Sequence, residues 1–209
     1  LPHVYVCVIC CIFTMSLFPL QMTSSVFSVD GEPLVLFFSK ESKFSNFYPC
    51  SFYDVDSGLR FSCSEQMYMF NKAIHFGDSN SAERIMQTRS PKEHKAIGRG
   101  VRGFSQKKWD SVSSDVMKKC LMLKFGQNKD LLTALLATED STFVECSPYD
   151  TRWGIGIARN DDRARDRRLW RGENRLGNVL MSVRAELRSK VSLNSHPVKT
   201  DASSSSSSS

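Results

Sequence analysis

The stretch SCSEQMYMFNKAI, residues 62–74, has the pattern of one amphipathic helix carrying two chemically opposed ionisable groups, Glu65 and Lys72. Seven residues make just under two helical turns, so at about 100° per residue the two side chains leave the helix within roughly 20° of each other. They share a face, with Tyr68 and Met69 between them to wall a pocket. Met67, Phe70 and Ile74 recur at the spacing of a stripe turned to a core. An exposed Glu and Lys on a helix are ordinarily solvated charges. Their axial separation of about 10 Å is also too long for a helical ion pair, so a shared role needs a third body between them, such as a substrate.

Around this helix, the 209-residue chain is 41% hydrophobic and 11% aromatic, enough apolar content for one globular domain, placed at residues 31–190. Residues 1–30 read as a disordered or signal-like segment. Positions 4–20, VYVCVICCIFTMSLFPL, hold no charge, yet they are short for a membrane span and lack a preceding basic region. Residues 191–209 finish in a serine run that has no apolar surface to bury and read as a disordered tail. A net charge of +6 suits an anionic partner only where the cations cluster. Of seven cysteines, Cys7, Cys10 and Cys11 lie in the terminal run, and Cys50, Cys63, Cys120 and Cys146 are scattered, so no disulfide framework is specified. Four scattered histidines argue against a zinc site. The expectation is a reducing, cytoplasmic setting with no stable membrane association. The sequence does not specify an oligomeric state.

In chain order, residues 34–38 are β-prone, and SKESKFSNFYP (39–49) is an aromatic-rich loop of turn formers. Residues 51–53 and 59–62 flank a turn at 54–58, a hairpin that delivers the chain into the helix and puts Glu65 in its first turn, where the helix dipole favours a carboxylate. A short helix is expected at 79–88. Ser90-Pro91-Lys92-Glu93 is a capping box that opens another to about residue 97, closed by Gly98-Arg99-Gly100. One longer helix is expected at 109–125, with Val112, Val116, Leu121 and Leu123 available for packing, and Asn128 caps a helix at 130–137. TFVEC (142–146) is strand-like and opens into the loop Ser147-Pro148-Tyr149-Asp150-Thr151-Arg152-Trp153-Gly154-Ile155-Gly156. No Rossmann or P-loop pattern calls for a nucleotide cofactor. Residues 159–175 hold seven arginines against four acids, a solvated loop unless it covers a pocket, where arginine forks suit a pyrophosphate. A final helix runs from 176 to about 188 on a stripe of Leu176, Leu180, Val183 and Leu187.

Phe44-Ser45-Asn46-Phe47-Tyr48-Pro49, Ser64-Glu65-Gln66 through Lys72-Ala73, Ser90-Pro91, Val144 to Asp150, Trp153-Gly154-Ile155-Gly156, and Trp170 through Leu176-Gly177 into Arg184 form one ordered set. It resembles the NADAR family of YbiA-like N-glycosidases, over residues 35–187. The resemblance implies an α+β fold, a compact and mostly helical single domain with a small β-sheet, which agrees with the many helices and few short strands read above. It implies metal-independent, cofactor-free hydrolysis of the C–N bond between ribose, as its phosphate or as ADP-ribose, and a base or amine. Family substrates include riboflavin-pathway ribosylamino-pyrimidine intermediates and ADP-ribosylated guanine. The implied partner is thus a small ribosyl or ADP-ribosyl molecule, or an ADP-ribosylated nucleic acid.

By the same resemblance, Glu65 and Lys72 are catalytic, and Asn46, Tyr68, Asp150, Trp153, Gly154 and Asn174 bind substrate. Breaking a ribosyl C–N bond builds positive charge at the anomeric carbon, so a carboxylate such as Glu65 either stabilises that charge or activates water. Lys72 either anchors phosphate as a point charge or, if desolvated, attacks the ring-opened sugar as a Schiff-base amine. The chain departs from the family pattern at Glu139-Asp140, where a Thr-Gly type turn is usual, and at Glu173, where Lys is common. Two other classes of reading compete. One is a non-catalytic module that binds ADP-ribose or a nucleotide in the same pocket; the other, a nucleic-acid-binding domain, rests on the arginine run alone.

Overall fold

A computed structural model describes residues 26–195. The segments 1–25 and 196–209, with the terminal expectations made for them, lie outside the described residues. Strands β1 (Val26–Phe27), β2 (Pro33–Phe37) and β5 (Thr142–Glu145) form a small sheet in the order β1-β2-β5, and β3 (Phe52–Asp54) pairs with β4 (Leu59–Phe61) as a hairpin. β2 and β5 run parallel, with Leu34 opposite Thr142 and Phe37 opposite Glu145. Parallel neighbours need a crossover. Here the crossover carries the hairpin and helices α1 (Ser64–His75), α2 (Ser79–Gln87), α3 (Pro91–Arg99), α4 (Gln106–Asp110), α5 (Ser113–Gly126) and α6 (Lys129–Leu136). Helix α7 (Arg175–Ser195) then packs on β5 and α5. The α+β class is as expected. Ordered elements extend past residues 31–190 at both ends, since β1 pairs with β2 and α7 runs to Ser195.

α1 starts two residues later than its pattern suggests. Cys63 is the N-cap, its Sγ accepting from Gln66 N at 3.4 Å, while Gln66 Oε1 reaches back to Ser62 N at 2.8 Å. The expected two-sidedness of α1 gives way to burial on nearly all sides. Met67 and Ala73 are sealed and Tyr68 and Met69 are buried, but Ile74, read as part of the core stripe, is 52% exposed. A helix wrapped by α2, α3 and α5 has no solvent face to spare in its first two turns. Burying a side chain of Met67's size contributes about 1.5–3 kcal/mol.

The helix expected at 109–125 is two. Ser111 Oγ donates to Lys108 O at 2.8 Å and closes α4, and α5 restarts at Ser113. A run of Ser and Val hydrogen-bonds locally or crowds χ1, so it breaks a helix readily. On α5 Leu121 is buried as expected, with Met117, Cys120 and Phe125 completing the face. Asn128 stands at the N-cap of α6 without capping it, donating instead to Lys124 O at 2.8 Å and Ser51 O at 3.1 Å. α3 ends within Gly98-Arg99-Gly100 as expected, with Arg99 its last residue and Gly100 its C-cap. The stripe Leu176, Leu180, Val183 and Leu187 of α7 is buried.

Asn174 holds β5 in place. At φ 53° it sits in the left-handed region that Asn tolerates, and its carboxamide behaves like another strand residue, with Oδ1 accepting from Glu145 N at 3.0 Å and Nδ2 donating to Phe143 O at 2.8 Å. Next to it, a Cβ on Gly177 would lie 2.1 Å from Phe143 O. Asn174→Ala leaves two buried backbone groups unpartnered, so chemical denaturation is expected to show a loss of about 2–4 kcal/mol. A change below about 0.5 kcal/mol would contradict this role.

Candidate functional site

The loop after β2 is tied down where it meets α1. Asn46 O accepts from Glu65 N at 3.0 Å, and Ser45 O accepts from Lys124 Nζ at 2.8 Å. Lys124 is fully buried, and burial pushes its ammonium down to about 8. These two bonds bring Asn46 against Glu65 at the N-terminal end of α1. From the other side, the loop after β5 folds on Asp150, whose Oδ1 accepts from Arg152 N at 3.0 Å and Trp153 N at 2.8 Å. That turn sets the Trp153 ring edge-on to Tyr68, centroids 5.5 Å apart, and Tyr68 OH in turn accepts from Trp109 Nε1 at 3.0 Å. Between the loops, α1, α3 and the α4–α5 junction lies a cavity of about 1200 Å³.

Two buried polar atoms at this cavity have no protein partner, Glu65 Oε1 and Asn46 Oδ1. The Asn46 amide nitrogen is occupied, donating to Met117 Sδ at 3.4 Å. A buried polar group without a partner costs about 1–3 kcal/mol, and two converging on one cavity form a site shaped for a ligand. Burial pushes the Glu65 carboxyl up to about 7, against the pull of Lys95, Arg99 and Lys72, while Asp150 adds to the rise. Glu145, 8% exposed and on the same cavity, is pushed up to about 8 by burial, with Asp150 and Glu65 as like charges nearby. Lys72 is 9% exposed, and burial lowers its ammonium pKa while Glu65 raises it. Its Nζ donates to Gly98 O at 2.7 Å, capping a free carbonyl at the end of α3, and lies 3.9 Å from the Phe104 ring centre.

The structure therefore brings Glu65, Lys72, Asn46, Tyr68, Asp150 and Trp153 to one cavity. It leaves Gly154 and Asn174 outside its lining. A Cβ on Gly154 would lie 2.9 Å from both Asp150 O and Glu145 O, so its missing side chain serves chain-to-chain packing rather than ligand approach. Asn174 is consumed by β5. The arginine run does not cover the cavity either. Arg163 closes on Asp161 at 2.6 Å and Arg168 on Asp166 at 2.8 Å across two short 3-10 turns, Asp162–Arg165 and Arg167–Leu169, and within 159–175 only Arg175 reaches the cavity. Glu173, where Lys is usual, pairs with that same Arg175 at 2.7 Å.

Sequence reasoning missed Glu145, Ser113, Lys95 and Arg99. A lone acid near the end of the apolar strand TFVEC was a legible sign of a buried, purposeful carboxylate. The 92, 95, 99 spacing was legible as a cationic helix face. Nothing local marks Ser113. Burial pushes the Cys63 thiol up to about 11 and Cys146 up to about 12, so neither supplies a thiolate nucleophile. No group of three or more His, Cys, Asp or Glu among the described residues is arranged to hold a metal ion. No helix among them is long and apolar enough to cross a membrane.

Comparison with known proteins agrees with this geometry. The NADAR domain matches residues 36–188. The Caenorhabditis elegans protein irg-1 is 41% identical over 167 residues, covering 73% of this chain and 79% of its own length. N-glycosidase R617 of Acanthamoeba polyphaga mimivirus is 38% identical over 146 residues, covering 68% of this chain and 86% of its own. The NMR structure of Escherichia coli YbiA superposes with a TM-score of 0.65 at 30% identity, over 86% of this chain and 96% of YbiA. With the family model matched over residues 36–188 and the fold shared with YbiA, the chain belongs to the NADAR domain family.

Proposed function

We propose that this protein is an N-glycosidase, a hydrolase that breaks the C–N bond between a ribosyl group and a base or amine. The observation that carries the reading is Glu65, a buried carboxylate with an unpartnered oxygen on the wall of a ligand-sized cavity. A pKa near the working pH is what a group that exchanges protons with substrate or water requires. The N-glycosidase name borne by the mimiviral relative supports the same class. Ribosylamino-pyrimidine phosphates and ADP-ribosyl-guanine are the substrates to try first.

The ribosyl ring opens as the glycosylamine N–H proton passes to the ring oxygen, leaving a C1=N imine; ionised Glu65 offsets positive charge on that unit when it is protonated, and Tyr68 and Trp153 offer aromatic surface to the base. Lys72 acts as an amine rather than a phosphate anchor. Its nitrogen is turned to Gly98 O and the Phe104 face, and burial favours its neutral form. The neutral amine attacks C1 of the ring-opened ribosyl imine. Its two protons pass to the departing amine, leaving a Lys72 Schiff base. Water, deprotonated by Glu65, then hydrolyses that bond and returns the sugar aldehyde and the free lysine.

On this reading Glu65→Gln loses about 10²–10⁴-fold in kcat with little change in KM. Base release by Glu65→Gln at the wild-type rate would remove Glu65 from the chemistry, and no release by wild type would leave only the binding-module reading. Borohydride added during turnover is expected to leave a reduced ribosyl adduct on Lys72, and a wild-type enzyme that turns over yet traps nothing excludes the Schiff base. Since Glu65 must be ionised, kcat/KM should rise with pH through about 7.

Stability should move the opposite way. The folded-state pKa of Glu65 lies above its unfolded value of 4.5, so the native state binds the extra proton and stability falls as pH rises from about 4.5 to 7. Glu65→Gln is free of that penalty. Its melting temperature should exceed wild type at pH 8 and converge with it near pH 4.5; a constant gap would show that Glu65 does not titrate this way.

A further inference from the structure

The wall of the cavity opposite its unpartnered acceptors carries positive charge that the chemistry above does not use. Lys92, Lys95 and Arg99 stand at i, i+3 and i+7 on α3, which places them within roughly 60° around the helix, and all three line the cavity. The rest of α3 is anchored: His94 and Gly98 are buried, and His94 Nε2 lies 2.9 Å from Thr88 O. The one acid of α3, Glu93, turns back to the helix start, where its carboxylate accepts from Thr88 Oγ1 at 2.5 Å. Lys95 has one ion pair, a loose 3.9 Å contact with Asp150. Lys92 and Arg99 have none among the described residues.

Other cations on the cavity are already engaged. Arg152 and Arg175 share Asp110 at 2.7 and 3.8 Å, and Lys40 on the facing loop has Glu41 as its neighbour in sequence and in charge. The buried carboxylates of Glu65 and Glu145, both held toward their neutral forms by burial, do not balance three cations. A row of unneutralised cations held over a closed-in space concentrates field there and favours an anion of multiple charge. Lys92 and Arg99 are seven residues apart, a rise of about 10 Å along the axis, a span suited to linked phosphates. The wall is also fixed in place: a Cβ on Gly98 would lie 2.1 Å from Met69 Sδ, and Gly98 O takes the Lys72 bond.

We infer that the α3 wall is a phosphate subsite, with Lys92, Lys95 and Arg99 holding the phosphate or diphosphate of a phosphorylated ribosyl ligand while Glu65 faces the sugar. This deepens the N-glycosidase reading and rests on it only for the orientation of the sugar. It also moves anion recognition from the arginine run, of which only Arg175 reaches the cavity, to a helix that the sequence marks only by spacing.

The double variant Lys92→Ala/Arg99→Ala removes two exposed side chains and leaves the core intact. Titration calorimetry with ADP-ribose and with ribose 5-phosphate is expected to show binding weakened by about tenfold or more, against wild-type affinity in the control Arg163→Ala/Arg168→Ala. Loss for ADP-ribose alone assigns a diphosphate, and loss for both assigns a single phosphate. In turnover, the double variant should raise KM for a ribosylamino-pyrimidine phosphate by a similar factor, and the KM difference from wild type should vanish on the same compound after phosphatase treatment. Unchanged affinity for both ligands in the double variant, or an equal loss in the control, overturns the subsite. If wild type releases no base from any substrate, the hydrolase reading falls, and the titrations still decide the wall.

Discussion

Where α1 crosses α3, Gly98 offers no side chain and Met69 occupies the space, with its Sδ only 2.1 Å from where a Cβ would be. The close crossing brings the end of α3 within reach of Lys72, whose Nζ takes the Gly98 carbonyl at 2.7 Å. Helix carbonyls at a C-terminus lack intrahelical partners, so the Lys72 Nζ donor satisfies one of them. Gly98 thus lets the Met69 side chain of α1 fill the space against α3 on the wall of the cavity. Were the helices pushed apart, Lys72 would lose its acceptor and the cations of α3 would no longer face Glu65.

The interior around this crossing is unusually polar for a core. Glu65, Glu145, Lys72 and Lys124 are all buried to within 9% exposure, and each has its pKa displaced toward the neutral form. Desolvated charges weaken a fold unless partners compensate them, and here the compensation is incomplete at Glu65. Such local conflict between stability and composition is expected where a site has been set up to act on a ligand. Lys124 differs from the others. Its bond to Ser45 O, together with Glu65 N on Asn46 O, fastens the loop that carries Asn46, so its burial serves the geometry of the site rather than its chemistry.

Prediction from the chain worked well where pattern and packing coincide. The stripe on α7, the Ser90 cap with Pro91 following, and the hairpin feeding α1 follow from local rules, because capping hydrogen bonds and 3.6-residue periodicity are properties of neighbours in sequence. It worked poorly where a distant partner changes the meaning of a residue. Ile74 continues an apolar stripe yet is 52% exposed, because the last turn of α1 packs through Lys72, Ala73 and His75 instead. Asn174 reads as a polar loop residue available to a ligand, but both ends of its carboxamide are taken by the backbone of β5.

The sequence by itself determined the family, the α+β class and the pairing of Glu65 with Lys72 on one helix, because motif order and helical spacing are written along the chain. Only the tertiary structure decided what those two groups are. Burial on nearly every side, not position in the helix, moves the Glu65 carboxyl toward neutral pH, and depth is a property of the packed molecule. Likewise the chain shows more positive charge in residues 159–175 than on α3, yet of the first only Arg175 reaches the cavity, whereas Lys92, Lys95 and Arg99 of the second all line it. The cavity seen from the stretch 62–74 is therefore half legible. Its acid and amine follow from spacing, and its other walls come from loops and a helix that meet α1 only when the chain folds.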